Sequence, residues 1–184
     1  MPGKVYQASA KGLTAISFNR HFEPKEEPTK RLSAAQWAEW EEKVWQNRVY
    51  KNSDGKLIIP QKAIRKSYIE ATRFSEMKPP GRMKSWRPLI ENCLMVENDM
   101  ILEYDQKRLR GWSDYVKRGT GAVLLIRPVI DLPWSGGFKL MAFDDAITFK
   151  VIDHLSEVVG RVLGWMEARK YMGFGRSEIT ISEL

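Results

Sequence analysis

Cysteine and histidine are nearly absent from this chain, and so are long apolar runs. With Cys93 alone there is no internal disulfide, and one cysteine with two histidines cannot build a cysteine/histidine zinc centre. No apolar run reaches the roughly 20 residues that cross a bilayer; among the longest is Ala122 to Ile126. The opening Met-Pro-Gly-Lys-Val-Tyr has no apolar signal core, so the expectation is a soluble protein of the reducing cytoplasm with no membrane contact. There is no internal repeat, no Walker spacing, no dinucleotide fingerprint and no standard duplex-reading motif, which disfavours nucleotide hydrolysis and major-groove recognition. No cofactor is expected.

What the chain has is apolar material and positive charge. Of its 184 residues 43% are hydrophobic, enough for the core of one domain covering 1–184, and 30 Lys and Arg against 23 Asp and Glu leave a net +7. The excess is segregated. Pro60 to Pro88 holds eight basic residues and two acids, and Tyr104 to Arg118 and Arg161 to Arg176 each carry a local +3. These three stretches total +12, so the remainder sums to −5. Clustered like charges repel unless something compensates them, which points to a polyanionic partner; a solvated basic surface is the plainer alternative.

The pattern places a first strand at Gly12 to Phe18 and a loop at Glu23 to Arg31. A helix capped by Ser33, with Gln36 as capping-box partner, then runs to about Trp45, giving a helical insertion over 23–52. Trp37, Trp40 and Val44 share a face of it and read as packing residues, as does Trp165. Asn52 to Gly55 is a turn and Lys56 to Ile59 a short strand. A helix begins at Pro60 or Gln61 and extends to about Phe74, its apolar face Ala63, Ile64, Tyr68 and Ala71. Lys78 to Pro88 is an irregular excursion. Asn92 to Leu102 is strand-like with a break at Glu97-Asn98-Asp99, and Tyr104 to Gly121 projects. Ala122 to Ile130 is a strong strand, its Pro128 marking an edge or bulge. A turn at Pro133 to Gly137 returns Phe138 to Phe143 as its hairpin partner. Thr148 to Leu163 is the second principal helix, with Asp145 placed to cap it, and Gly173 leads into a last strand ending near Ser182. The fold expected is α+β, a ferredoxin-like (RRM-like) βαββαβ core with insertions after the first strand and in the middle.

Two local sequences sharpen this. Leu57-Ile-Ile-Pro-Gln-Lys-Ala-Ile-Arg-Lys, continuing to Arg73, is a strand end, a proline and a helix basic near its start. Leu163-Gly-Trp-Met-Glu-Ala-Arg-Lys-Tyr-Met-Gly-Phe-Gly-Arg176 is a helix-closing glycine, a basic spacer and Gly-hydrophobic-Gly before the last strand. Together they resemble the RAMP superfamily of CRISPR-associated proteins, particularly its backbone subunits that line a guide RNA, with Gln61 standing where that family commonly has glycine. The motifs cover about a third of the chain and the element order most of it. The resemblance implies a subunit of a ribonucleoprotein, copies assembling side by side along a strand, or a phage-borne relative of that fold.

The residues support single-strand binding without the family name. Gly173 and Gly175 permit positive φ and close approach of phosphates to main-chain N–H groups beside Arg169, Lys170 and Arg176, although two glycines can also serve only to turn the chain. Aromatic rings lie among cations: Trp86 by Lys84 and Arg87, Trp112 by Arg110, Tyr115 near Lys117, Tyr171 by Lys170. Bases of an unpaired strand stack on such rings while cations neutralise phosphates. The candidate binding set adds Arg20, His21, Lys62, Arg65, Lys66, Arg73, Lys78, Arg82, Lys107, Arg108, Arg118 and Phe174. The partner is single-stranded RNA or DNA, with a homo-oligomer or multi-subunit ribonucleoprotein as the assembly.

Catalysis has less support. His21 is the residue a metal-independent RNA endonuclease of the RAMP type would use, His154 lies among apolar neighbours, and no nucleophile has a base partner. No metal site is expected. The reading is therefore a non-catalytic binder, with two alternatives: an interaction module or inhibitor docking on a CRISPR complex, and a His21-dependent endonuclease.

Overall fold

The structure, a computed structural model, describes residues 3–21, 28, 32–118, 121–167 and 169–184. The side chains of Arg118, Lys170 and Tyr171 and most of the expected loop at Glu23 to Arg31 lie outside the described part. The architecture is α+β with antiparallel sheets.

The main sheet begins with β1, Lys4–Gly12, whose inward residues Tyr6, Ala8 and Ala10 are buried while Ser9 and Lys11 stay exposed. This corrects the sequence expectation: the first strand lies upstream of Gly12 to Phe18. Past Gly12, where β1 ends, only Ile16–Ser17 of that stretch, β2, is a strand, and it belongs to a second sheet. Helix α1, Ala34–Val44, has the expected capping box between Ser33 and Gln36. Asn52 and Gly55 close the expected turn, and β3 is Ile58–Ile59.

Helix α2, Gln61–Ala71, starts where Pro60 implied and buries Ile64, Tyr68 and Ala71, but ends before Phe74. Proline has no side-chain acceptor for the helix N-terminus; the carboxylate of Asp99 supplies one, taking the Gln61 N–H at 2.7 Å. A helix not expected from sequence, α3, covers Arg87–Cys93, so strand structure begins only at β4, Leu94–Val96, followed by β5, Met100–Tyr104.

β4 and β5 lie along one edge of β8, Trp134–Ala142. Leu94 pairs with Ala142 but Ile101 with Gly137, so the break at Glu97-Asn98-Asp99 inserts two residues into the ladder. The Asn98 side-chain oxygen takes the Lys139 N–H there at 2.9 Å, replacing a backbone rung. The order of the main sheet is β3-β5-β8-β1-β9, with β9 at Ser177–Glu183. Helix α4, Phe149–Glu157, continues as a π-helical turn to Leu163. Thr148 rather than Asp145 occupies its N-cap; Asp145 is exposed and lies 3.7 Å from Lys4. Helices α2 and α4 meet over the buried face of the sheet, where the Tyr68 hydroxyl and Ser156 Oγ are 2.7 Å apart.

The second sheet is a ribbon of β6, Leu109–Arg118, and β7, Gly121–Ile130, with β2 along the far end of β7. Ten residues per strand at about 3.4 Å each make it roughly 30 Å long. The expected hairpin between Ala122 to Ile130 and Phe138 to Phe143 is corrected: β7 pairs upstream with β6, and β8, which includes most of the expected turn at Pro133 to Gly137, inserts between β1 and β5. Adjacent strands that alternate in hydrophobicity look alike whichever neighbour they join.

Beyond the reach of β2, β7 would present bare edge groups, and α1 covers them. Trp37 donates its indole N–H to the Leu124 carbonyl at 2.8 Å, and the Glu41 carboxylate takes the Ile126 N–H at 3.0 Å. Glu41 is fully buried and paired at 2.5 Å with Arg48, which is itself 8% exposed. Pro128 lies on the same side, its carbonyl accepting from Phe18, so its missing N–H costs no rung with β6.

Candidate nucleic-acid interface

Lys66, Ile69 and Glu70 recur at helical spacing on α2, and Arg73, just past its C-cap Thr72, extends the same stripe. That stripe, Arg87 at the start of α3 and Arg169 in the short helix α5, Arg169–Met172, line a recess of about 320 Å³. Arg169 is locked in place: Glu70 lies 2.6 Å away, with both side chains about 15% exposed, and Arg169 also donates to Ser67 Oγ at 3.0 Å and to the Gly164 carbonyl at 3.2 Å. Arg87 binds Glu91 through Nε at 2.8 Å, and Arg65 donates to the Glu91 carbonyl. Lys66 and Arg73 are exposed and make no ion pair among the described residues. Lys62, Lys78, Arg82 and Lys84 are exposed as well.

The glycine loop differs from its expected role. Gly173 and Gly175 have the positive φ anticipated, 68° and 72°. Their amides are spent within the protein, however: Gly173 N–H donates to Arg169, Gly175 N–H to Ala15, and Arg176 N–H to the Thr14 hydroxyl at 2.9 Å. The same hydroxyl donates to the Gly173 carbonyl at 2.8 Å, so Thr14 ties both sides of the loop together. A loop held this way is no amide cradle for phosphate. It fixes Phe174, whose ring meets Trp112 of β6 edge-on at 5.4 Å, and leaves Arg176 exposed.

Lys107, in the short turn before β6, and Lys117 on the ribbon are exposed, and Tyr115 is 73% exposed. Arg110 forks onto Asp131 at 2.6 and 3.0 Å; that hydrogen bonding holds its guanidinium pKa above the ordinary value. Arg108 donates to the Leu132 carbonyl. Both are therefore partly committed to the ribbon base. Trp86 is a correction: its ring is 4% exposed and its N–H is bonded to the Met77 carbonyl at 3.0 Å, so it packs the core and offers no face to a base. Arg20 donates from Nε to the Asn47 carbonyl at 3.1 Å, and His21 is exposed at the margin of the described residues.

Three sequence-distant basic stretches are thus linked. Arg65 and Arg87 meet at Glu91, Glu70 and Arg169 join α2 to α5, and Phe174 joins the glycine loop to Trp112. Arg110 stands apart at the ribbon base. Sequence reasoning missed Glu70 and Thr14, which hold the arrangement together; Glu70 was legible as the acid completing the stripe between Lys66 and Arg73.

The face of the main sheet opposite α2 and α4 carries Gln7, Ser9, Lys11, Ser135, Gly137, Lys139 and Met141 on its two central strands. Base stacking in the RRM manner requires rings on that face, and these positions have none. Among the described residues no group of three or more His, Cys, Asp or Glu is placed to hold a metal ion, and no helix is long and apolar enough to cross a membrane.

Among solved structures the chain is similar to a chain of the Type III-B Cmr-beta bound to cognate target RNA, determined by cryo-EM. The TM-score is 0.62 with 10% identity, covering all of this chain and 61% of that one. At that identity the likeness shows a shared fold, and this chain spans less than two thirds of the neighbour's length. No family model matches the chain, and no curated protein matches it.

Proposed function

We propose that this protein is a RAMP-like, RNA-binding subunit of a CRISPR-type ribonucleoprotein that holds an unpaired strand without cutting it. The strand order β9-β1-β8 followed by β4 and β5, with α2 and α4 as the crossing helices, supports a ferredoxin-like core. α1 is then inserted after the first strand and the β6–β7 ribbon between the middle pair. The neighbour's binding of target RNA supports RNA over DNA.

The observation that carries the proposal is the linkage of α3, α2, α5, the glycine loop and the ribbon by contacts between basic stretches far apart in sequence. Such a track, flanked by the exposed Tyr115, suits a strand whose phosphates meet cations and whose bases meet rings. The bare sheet face argues against the RRM mode and for the helix side and ribbon.

Equilibrium binding of a single-stranded oligoribonucleotide at several salt concentrations tests this. Each phosphate contact contributes about −0.7 to the slope of log K against log salt, so four to six contacts give roughly −3 to −4. An interaction insensitive to salt, or equal affinity for duplex RNA, would contradict the proposal. Side-by-side assembly belongs to the same reading, and mass rising stepwise with oligonucleotide length is its expected signature.

A further inference from the structure

The recess between α2, α3 and α5 has a more specific meaning than general positive charge. Four cations line it, Lys66, Arg73, Arg87 and Arg169, against the single acid Glu70. Glu70 is already engaged by Arg169 at 2.6 Å, so that pair forms a neutral, fixed wall. Three cations are left facing the same space. Arg87 commits only Nε to Glu91, at 2.8 Å, which leaves the other edge of its planar fork open. Arg73 follows the C-cap residue of α2, Thr72, where the helix carbonyl end favours a cation, and Lys66 lies two turns back on the same stripe.

We infer that this recess is a seat for one phosphate group, with Arg73 and Arg87 as forked donors, Lys66 as a point charge and the Arg169–Glu70 pair fixing the wall. The inference deepens the strand-binding reading and rests on it for the source of the phosphate. Its chemistry follows from charge and size. Guanidinium forks match tetrahedral oxyanions, Lys66 and Arg73 face the recess with no ion pair among the described residues while Arg87 adds the open edge of a fork held by Glu91, and about 320 Å³ admits a phosphate with its sugar but not a protein surface. Ile69 supplies an apolar patch for the sugar.

The test uses the whole protein, Arg73→Gln, Arg87→Gln and Arg73→Lys. Both arginines are exposed, so folding is expected to survive and far-UV circular dichroism checks it. Millimolar inorganic pyrophosphate is expected to raise the melting temperature of the unaltered protein by several degrees. Each Gln variant loses most of that rise, and Arg73→Lys keeps part of it. With single-stranded RNA, each Gln variant lowers the salt slope by about 0.7 and weakens binding several-fold. Equal loss with 5′-phosphorylated and 5′-hydroxyl strands assigns the seat to an internal phosphodiester; loss confined to the phosphorylated strand assigns it to a chain end. Gln variants that keep both the pyrophosphate shift and the salt slope overturn the seat while leaving strand binding intact. A protein that binds no RNA yet responds to pyrophosphate through Arg73 and Arg87 keeps the seat and overturns the strand reading.

Discussion

Replacing Glu41 with alanine should be among the most damaging single changes away from the apolar core. Glu41 has no exposed surface, holds Arg48 at 2.5 Å and takes the Ile126 N–H at 3.0 Å; Arg48 also reaches Asn19 and lies over the Trp40 ring. Removing one member of a buried pair strands the other charge, a loss of about 3–5 kcal/mol. The orphaned Ile126 N–H is part of the same cost rather than an independent addition. For a chain of 184 residues each kcal/mol is worth about 2–4 °C, so a drop of roughly 6–20 °C is expected in a thermal melt, with urea denaturation giving the free energy. Glu41→Gln retains an acceptor for Ile126 and should lose less. Replacing Glu41 and Arg48 together by methionine removes both charges and should recover most of the loss. A Glu41→Ala protein within about 1 kcal/mol of the original would refute the claim that this pair fastens α1 to the ribbon.

Three further outcomes follow from named contacts. Trp86→Ala should lower stability by about 3–5 kcal/mol as a core truncation. The folded fraction should keep its RNA affinity, whereas Tyr115→Ala should leave the melt unchanged and weaken RNA binding by about 1–3 kcal/mol; the reverse pattern would restore Trp86 as a stacking residue. In Gly175→Ala a Cβ would lie 2.3 Å from the Trp165 carbonyl oxygen at a φ of +72°, so the loss should exceed the roughly 1–2 kcal/mol of the left-handed conformation alone, measured by denaturation. Tyr68 is fully buried, and burial raises its phenol pKa above the ordinary 10.0. Its contribution is therefore complete below about pH 10 and is lost as pH rises beyond it, because the unfolded chain ionises there and the folded one does not. Tyr68→Phe should show a flatter stability profile above pH 10.

Local chemistry was the legible part of the fold. Ser33 and Gln36 announce the start of α1, Asn52 and Gly55 the turn, Pro60 the start of α2, and Glu97-Asn98-Asp99 the interruption between β4 and β5. β1 escaped notice because its inward face is Tyr6, Ala8 and Ala10, and alanine carries little apolar signal beside the β-branched Gly12 to Phe18 stretch. β6 hid behind its charges, which sit on a strand with one exposed side, and α3 behind an opening Arg-Pro with only Leu89 and Ile90 to bury. Pairing was the hardest to read, since nothing in Ala122 to Ile130 says that its partner is upstream.

The candidate site divides in the same way. Charge segregation singled out the stretches that carry Lys66, Arg73, Arg87 and Arg169, and these four side chains line one recess. Which side chains are free to act is decided by three-dimensional partners: Trp86 is consumed by the core, the glycine-loop amides by Thr14, Ala15 and Arg169, and Arg110 by Asp131.

The measurement that bears most directly on the whole account is photocrosslinking of the 184-residue chain to a 4-thiouridine-substituted single-stranded RNA, with the adducts located by mass spectrometry. The account predicts adducts on both sides of the Trp112–Phe174 contact, on the ribbon around Tyr115, and at Arg73 just past α2 and Arg87 at the start of α3. Adducts confined to the open sheet face around Gln7 and Lys139, or none above a bovine serum albumin control, would contradict it.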